Sequence, residues 1–448
     1  MIHHRVTQCT EMASEKDQFA VSRTHSLFAL VVLFVLMVLD HLDRNVVLSM
    51  FSFIKSDWDL TDQQLGALGS IVPFIVGLLL IPMALLVDRW SRVKAISYMA
   101  IIWSLATVGC MYATNYSQLL FLRGVVGFGE AGYAAAGCAL LAYHFPERLR
   151  SVAIGTLNAG VAFGFLMGVG IGGVLAAKWG WQAAFGIVGA PGVLFAILVL
   201  WIHDYPTAEV TLNRSEKAAG TQHVKLKAIA TELFKQKTLL LNCLGSGFLQ
   251  VLVGTIGWLP LYFTRYYGID GVAAGLKTAP IALVSAVSLV FWGYIADRIG
   301  LMRPARKLGL MKMTALTGMI LFVCSIALLP AGTFQYVGII VAMFFMASSS
   351  AVCFTVAIDV TQPALRSTAA SLVAIANNFL GYAIGAYLVG VLSDQFGLSA
   401  ALCLVSLFAL PAAYFFHIAS HSYESDKAKI SGNVLGSRPD LMSPSTKG

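Results

Sequence analysis

Long apolar runs separated by short polar turns are the dominant pattern along this chain. At a rise of about 1.5 Å per residue, a run of roughly twenty residues crosses a hydrocarbon core of about 30 Å. Each run therefore predicts one membrane-spanning helix. We predict twelve, at residues 27–50, 65–87, 95–112, 119–143, 152–177, 183–201, 239–264, 272–296, 310–329, 336–358, 367–392 and 398–417.

The composition agrees with an all-α integral membrane protein. Hydrophobic residues make up 58% of the 448 positions and charged residues only 12%, against about a quarter in soluble domains. The seven cysteines are scattered, which suggests no disulfide or metal framework. The chain carries no nucleophile with a matched base and no His-Glu-x-x-His motif, so we expect neither an enzyme nor a cofactor.

The basic residues indicate how the chain is oriented. With twelve spans both termini share one side of the membrane, and that side holds 24 of the 30 lysines and arginines. The positive-inside rule places both termini and the central loop in the cytoplasm, which suggests a bacterial inner (plasma) membrane. The net charge of +8 then reflects topology within a lipid bilayer, and no nucleic acid partner is expected.

One long polar stretch, His203 to Lys237, divides the chain, and short motifs repeat on either side of it. Asp88-Arg89 follows the second span and Asp297-Arg298 the eighth; Leu149-Arg150-Ser151 follows the fourth and Leu365-Arg366-Ser367 the tenth. Repeated six-helix halves are typical of secondary transporters. We predict an N-terminal tail, a first bundle, a central loop, a second bundle and a C-terminal tail, at residues 1–26, 27–202, 203–237, 238–418 and 419–448.

The loop after the second span resembles the major facilitator superfamily signature Gly-x-x-x-Asp-Arg-x-Gly-Arg-Lys. Ala84 and Ser91 replace two of its glycines, whereas the second copy keeps Gly293 and Gly300. The resemblance implies the major facilitator fold, with twelve helices in two pseudo-symmetric six-helix bundles. A carboxylate at this helix end can accept hydrogen bonds from the backbone N–H groups at the N-terminus of another helix and so help close a gate. A solvent-exposed turn is the structural alternative for the same residues. The gating candidates are Asp88, Arg89, Arg150, Asp297, Arg298 and Arg366.

Six ionisable residues fall inside two of the spans. Each costs roughly 2.5 to 3.5 kcal/mol near the centre of a spanning helix, so such groups usually pair and face a wet cavity. On the first helix the charges share one face, and the two on the fourth helix are two turns apart. Three carboxylates face two guanidinium groups, so one carboxylate should carry an exchangeable proton. The residues are Asp40, His41, Asp43, Arg44, Arg123 and Glu130.

These residues predict both proton handling and anion binding. The planar guanidinium of Arg44 or Arg123 suits a carboxylate or phosphate. Tyr133 continues the face of the fourth helix that carries Arg123 and Glu130, and it is a further candidate for substrate binding. Proton coupling is assigned to Asp43, Glu130, Asp40 and His41, and further substrate contacts to Asn158, Asn377 and Asn378. A static salt-bridge network, and helix–helix hydrogen bonds for the amides, are the structural alternatives.

The runs Leu42-Asp43-Arg44-Asn45 and Arg123 to Ala131 resemble the anion:cation symporter and Spinster-like branches of the superfamily. The first branch implies that Arg44 binds the substrate carboxylate and that Asp43 and Glu130 carry protons. The second implies export of lipid-like or amphipathic anions. Ala134-Ala135-Ala136 lacks a proline often found in the first branch, so both stay open. We predict a proton-coupled secondary transporter of a small organic anion, carboxylate or sugar acid, with a membrane-embedded sensor or channel as the alternative class.

Overall fold

The computed structural model describes residues 21–204, 233, 235–362 and 365–436, and no strand occurs among them. Side-chain caps start several helices where the polar turns end. Thr61 and Gln64, for example, form a capping box. The helices are α1 Arg23–Ser49, α2 Phe51–Trp58, α3 Asp62–Arg89, α4 Arg92–Cys110, α5 Tyr116–Glu130, α6 Tyr133–His144, α7 Glu147–Trp179, α8 Trp181–Val199, α9 Lys237–Gly254, α10 Leu259–Tyr267, α11 Gly271–Met302, α12 Arg306–Leu328, α13 Thr333–Met346, α14 Ser350–Asp359, α15 Arg366–Ala376, α16 Ile384–Phe396, α17 Leu398–Ser406 and α18 Ala409–Gly436.

These helices form the twelve spans that the apolar runs predicted. Within the described residues, eleven helical segments are long and apolar enough to cross a membrane. The shorter apolar α13 continues through the 3-10 turn Ala347–Ser349 into α14 and completes the tenth span. The all-α membrane fold is therefore confirmed, with span ends displaced by a few residues.

Several spans contain irregular backbone, which the hydropathy pattern did not reveal. The fourth span breaks between α5 and α6, directly after Glu130. The seventh contains the 3-10 turn Thr255–Trp258 between α9 and α10, and the eleventh contains the π-helix Asn377–Ala383 between α15 and α16. Hydropathy averages over about twenty residues, so it does not detect a break of two to seven. Such interruptions often mark functional positions in transporters.

The last helix is longer than predicted. α18 reaches Gly436, so the first part of the predicted C-terminal tail, 419–448, continues the helix that we expected to end near 417. The carboxylate of Asp426 is buried and accepts from the backbone N–H of Thr238 at 3.0 Å and from its hydroxyl at 2.8 Å. This contact caps α9 and holds the extended helix in place. Most of the predicted N-terminal tail and central loop lies outside the described residues.

The chain forms two compact units. The first comprises the described parts of Met1–Thr221 together with Ile256–Leu283 and Ala386–Leu398. The second comprises the described parts of Gln222–Thr255, Val284–Gly385 and Ser399–Gly448. Short pieces of spans seven, eight and eleven thus belong to the first unit, although they follow the central loop in sequence.

Close contact between α1 and α7 sets the position of the charged stretch in the first unit. Glycines at every fourth position of α7 face α1, and a Cβ built on Gly168 would lie 2.7 Å from the carbonyl oxygen of Leu42. A Cβ on Gly164 would clash with the Val38 carbonyl oxygen. These glycines let two backbones touch directly, and the contact lies beside residues 40–44 of α1.

Candidate functional site

Asp43 and Arg123 form a fully buried ion pair between α1 and α5. Arg123 Nη1 donates to Asp43 Oδ1 at 2.8 Å, and the two side chains are 1% and 3% exposed. The same guanidinium also donates to the backbone carbonyls of Asp43 at 3.3 Å and Arg44 at 3.2 Å. Thr107 of α4 donates its hydroxyl to Asp43 Oδ2. Arg123 therefore binds both a side chain and the backbone of α1.

Arg44 and Glu130 form the second ion pair, with a different geometry. Arg44 donates through both Nε, at 3.0 Å, and Nη2, at 2.7 Å, to the single oxygen Oε2 of Glu130. The other oxygen, Oε1, is buried and has no hydrogen-bond partner among the described residues. The Arg44 side chain is 19% exposed and that of Glu130 is 0% exposed. Of the two arginines, Arg44 is the one whose side chain reaches accessible space.

Asp40 and His41 complete the cluster on α1. His41 Nδ1 lies 2.8 Å from Asp40 Oδ2, and the histidine side chain is 19% exposed. Asp40 Oδ1 is buried and unpartnered among the described residues. The six ionisable residues that the sequence singled out therefore do meet, as three pairs within the first unit.

The break in the fourth span lies beside Glu130, and glycines pack around it. A Cβ on Gly129 would lie 2.7 Å from the backbone nitrogen of Trp103, and one on Gly127 would lie 2.9 Å from the carbonyl oxygen of Val72. These glycines therefore allow close helix packing beside Glu130. They allow α5 to approach α3 and α4, and so fix the depth of Glu130.

Tyr133 does not lie in open space as a substrate contact would. It is 1% exposed and donates its hydroxyl to the Leu33 carbonyl oxygen at 2.5 Å. The reason is the break at residues 131 and 132, which ends the helical stripe that the prediction assumed to be continuous. Tyr133 instead ties α6 to α1.

The three predicted asparagines occupy different surroundings. Asn377 in the second unit is buried and accepts from the Ser246 hydroxyl at 2.5 Å. Asn378 donates to the Ala374 carbonyl oxygen at 2.9 Å, while its Oδ1 is buried and unpartnered among the described residues. Asn158 is exposed on α7 and donates to Ile154 of its own helix. Asn378 thus keeps a hydrogen-bond acceptor unused.

The predicted gating residues lie at helix ends. Asp88 and Arg89 end α3, and their side chains are outside the described part of the chain. Asp297 is 72% exposed and lies 3.5 Å from the Lys307 ammonium. Arg298 stacks over the Tyr294 ring at 5.0 Å. The remaining candidates, at the first turns of α7 and α15, are Arg150 and Arg366.

Comparison with known proteins identifies the family. The model of the Major Facilitator Superfamily matches residues 33–311, more than half of the chain. The chain belongs to the major facilitator superfamily. Membership, predicted from the loop motif and the repeated halves, is thereby confirmed, and this superfamily member is a membrane transporter. The twelve spans are those of the superfamily fold.

Two relatives of this transporter are described by what they carry. The hexuronate transporter of Bacillus subtilis is 24% identical over 82% of this chain and 87% of its own length. The probable L-galactonate transporter of Escherichia coli is 26% identical over 60% of this chain and 61% of its own length. Both names denote small organic acids.

A solved structure resembles the fold closely. The inward-facing, unoccupied bacterial homolog of the human lysosomal transporter Spinster superposes with a TM-score of 0.80. The alignment covers 91% of this chain and 99% of that one, at 22% sequence identity. This similarity establishes the shared fold.

Sequence reasoning missed two groups of polar residues. Thr107 was passed over because a lone threonine in an apolar span carries no charge signal. Asp62 and Arg265 were missed because they lie at span ends, where charged residues are ordinary. The structure joins them: Arg265 donates from Nη1 and Nη2 to the two Asp62 oxygens at 2.6 and 2.5 Å.

Proposed function

We propose that this chain is a proton-coupled secondary transporter that moves a small organic anion across the membrane by alternating access. The Arg44–Glu130 pair carries the proposal. It places a partly exposed guanidinium against a buried carboxylate that can be neutralised by a proton. The planar fork of arginine binds a carboxylate through two parallel hydrogen bonds.

Glu130 and an incoming anion need the same donors. Ionised Glu130 occupies Nε and Nη2 of Arg44, which are the groups that a substrate carboxylate would use. A proton on Glu130 weakens this pair and frees both donors, because a neutral carboxyl group is the poorer acceptor. Anion binding and protonation of Glu130 therefore favour each other, which is the thermodynamic requirement for symport.

The charge of the cluster favours a monoanion. Asp40, Asp43 and Glu130 against Arg44 and Arg123 leave one negative charge when His41 is neutral. One proton brings the cluster to neutrality, and one monoanion returns it to its starting charge. Because surplus charge is costly in a low-dielectric span, a proton and a monoanion that enter together leave the electrostatic cost unchanged.

The other members of the cluster have supporting roles in this proposal. Arg123 holds Asp43 and the α1 backbone, so that Arg44 faces accessible space. Asp43 is the second proton carrier, and Asp40 with His41 adjusts the local charge. Asn378, with its unused acceptor, is the preferred amide for recognising a substrate hydroxyl, ahead of Asn377 and Asn158.

The relatives narrow the substrate class. The names of the hexuronate and L-galactonate transporters specify sugar acids, each with one carboxylate and several hydroxyl groups. We propose a sugar acid or similar hydroxylated carboxylate for this chain. We further propose that it lies in a plasma membrane with both termini in the cytoplasm, as the distribution of basic residues favours.

Substitution of Arg44 tests the proposal. Purified protein in proteoliposomes is screened for uptake of sugar acids, dicarboxylates and lysolipids under an imposed pH gradient, with and without Arg44→Ala. Arg303→Ala is the matched control, because Arg303 is an exposed arginine outside the charged cluster. We expect uptake of a sugar acid that Arg44→Ala abolishes and Arg303→Ala preserves. Equal uptake by both variants contradicts the role of Arg44, and uptake of lysolipids alone favours an amphipathic anion.

A further inference from the structure

A second charged cluster is centred on Asp62. It lies beyond the C-terminal end of α1, which is the end opposite Arg23. The Asp62 side chain is 3% exposed and accepts from Lys55 Nζ at 2.5 Å. Arg265 donates to both of its oxygens, and the Ser393 hydroxyl donates to Oδ2 at 2.5 Å. One carboxylate therefore joins α2, α3, α10 and α16, and the four residues that meet all belong to the first unit.

Asp394 reinforces the same junction through the backbone. Its Oδ1 accepts from the N–H of Asp62 and its Oδ2 from the N–H of Gln63, each at 2.8 Å. These are free donors at the positive N-terminal end of α3, where a carboxylate is favourable. Gln63 also donates to the Tyr387 hydroxyl at 2.6 Å. Asp394 thus makes at the start of α3 the kind of contact predicted for Asp88 and Asp297, as Asp426 does at the start of α9.

The cluster is built so that its bonds can break. Lys55 and Arg265 are 32% and 29% exposed, so water can replace their partner when they separate. A carboxylate and an arginine buried together in lipid could not part so cheaply. Partial exposure therefore distinguishes this cluster from the Asp43–Arg123 pair, and it favours a reversible latch over a permanent fastening.

The segments that carry the partners of Asp62 adjoin irregular backbone. Span seven passes from the second unit to the first at Thr255 and Ile256, inside the 3-10 turn. Span eleven passes from one unit to the other at Gly385 and Ala386, two residues after the π-helix ends. Interruptions of this kind are where helices bend. The segments after these turns, α10 and α16, can therefore move separately from the rest of their spans.

We propose that Asp62 is a gating residue. The transport path is closed on the side opposite the central loop by the bonds of Asp62 to Lys55, Arg265 and Ser393. Asp394 adds its contact with the N-terminus of α3. These bonds break when that side opens. The inference rests on the alternating access of the proposed function. It does not depend on which solute is carried or on proton coupling.

A cysteine beneath the cluster can report opening. A Cβ built on Gly69 lies 3.4 Å from Phe51, 3.5 Å from Leu48 and 3.8 Å from the Ala386 Cβ, so a side chain there fits, and the position is half-buried. The reporter is Gly69→Cys in full-length protein whose native cysteines are replaced by alanine. A membrane-impermeant maleimide is applied to intact cells and, separately, to inside-out vesicles, and the labelling rate is measured.

Neutralising the latch should expose the reporter. We expect Asp62→Asn to raise the labelling rate in cells by about tenfold, with no rise in inside-out vesicles, because the closed state loses its ion pairs. Arg265→Gln, which leaves Asp62 in place, should act in the same direction. The matched control is Asp59→Asn: Asp59 is exposed three residues away, and its left-handed backbone (φ 49°) accepts asparagine.

The outcomes separate this proposal from the proposed function. Labelling at the control rate in both Asp62→Asn and Arg265→Gln overturns the gate, even if transport is normal. Faster labelling in a protein that carries no sugar acid supports the gate and leaves only the substrate assignment wrong. If Asp62→Asn fails to accumulate in the membrane, Arg265→Gln decides the question by itself.

Discussion

Glu130→Gln isolates the competition between the buried carboxylate and the transported anion. Glutamine has nearly the same shape as glutamate but no charge, so the packing of α5 against α3 and α4 is retained. The variant removes the charged acceptor that occupies Nε and Nη2 of Arg44 at 3.0 and 2.7 Å. The donors of Arg44 then become available to a substrate at every pH.

The size of the effect follows from these two contacts. A hydrogen bond to a charged group contributes about 1.5 to 3 kcal/mol and a neutral one about 1 kcal/mol. Exchanging the carboxylate for an amide therefore lowers the cost of displacing Glu130 by roughly 2 kcal/mol, which corresponds to about 30-fold tighter anion binding. This gain applies at pH values at which the native glutamate is ionised.

The competition is tested by measuring anion affinity with calorimetry between pH 5 and pH 8. This is roughly the range in which carboxylates and histidine exchange protons. In the native protein, once Glu130 is ionised, affinity should fall by as much as about tenfold for each unit of rising pH, because one proton must be taken up. In Glu130→Gln that slope should flatten to what Asp43 contributes, and accumulation driven by a pH gradient should fall while solute exchange continues. Glu424→Gln, at an exposed position on α18, is the control. An unchanged pH slope in Glu130→Gln would refute the competition.

Two further predictions concern the supports of the site. Gly168→Ala places a methyl group 2.7 Å from the Leu42 carbonyl oxygen, so it should lower the free energy of unfolding by about 1 to 3 kcal/mol and weaken anion binding. Gly155→Ala is the control and should be tolerated, because a Cβ at Gly155 meets nothing within 4 Å. Melting curves in detergent compare the two variants, and equal losses of stability would contradict the packing argument. Thr107→Val removes a donor to ionised Asp43 and should move the pH of half-maximal transport upward by about one unit, while Thr107→Ser restores it. An unmoved pH profile in Thr107→Val shows that the hydroxyl has no part in proton handling.

The positions of the charged residues in the candidate site could be predicted from the sequence, but their pairing could not. The charges on α1 and α5 stand out because ionisable residues are rare in apolar spans, and helical geometry places them on shared faces. Their pairing does not follow from that geometry. Arg44 and Arg123 are both plausible anion ligands by residue type, and only packing shows that Arg123 is buried against the α1 backbone while Arg44 reaches accessible space.

The twelve spans and the family follow from the sequence by itself, because membrane insertion depends on the apolarity of about twenty consecutive residues and the loop motifs are local. Three features depend on the tertiary structure. They are the break after Glu130, the contact of Thr107 with Asp43, and the cluster formed by Lys55, Asp62, Arg265 and Asp394. Residues 62 and 265 come from different sequence halves, and no local pattern specifies which span ends meet. Their contact is decided by how helices with glycine faces pack, which is a property of the whole fold.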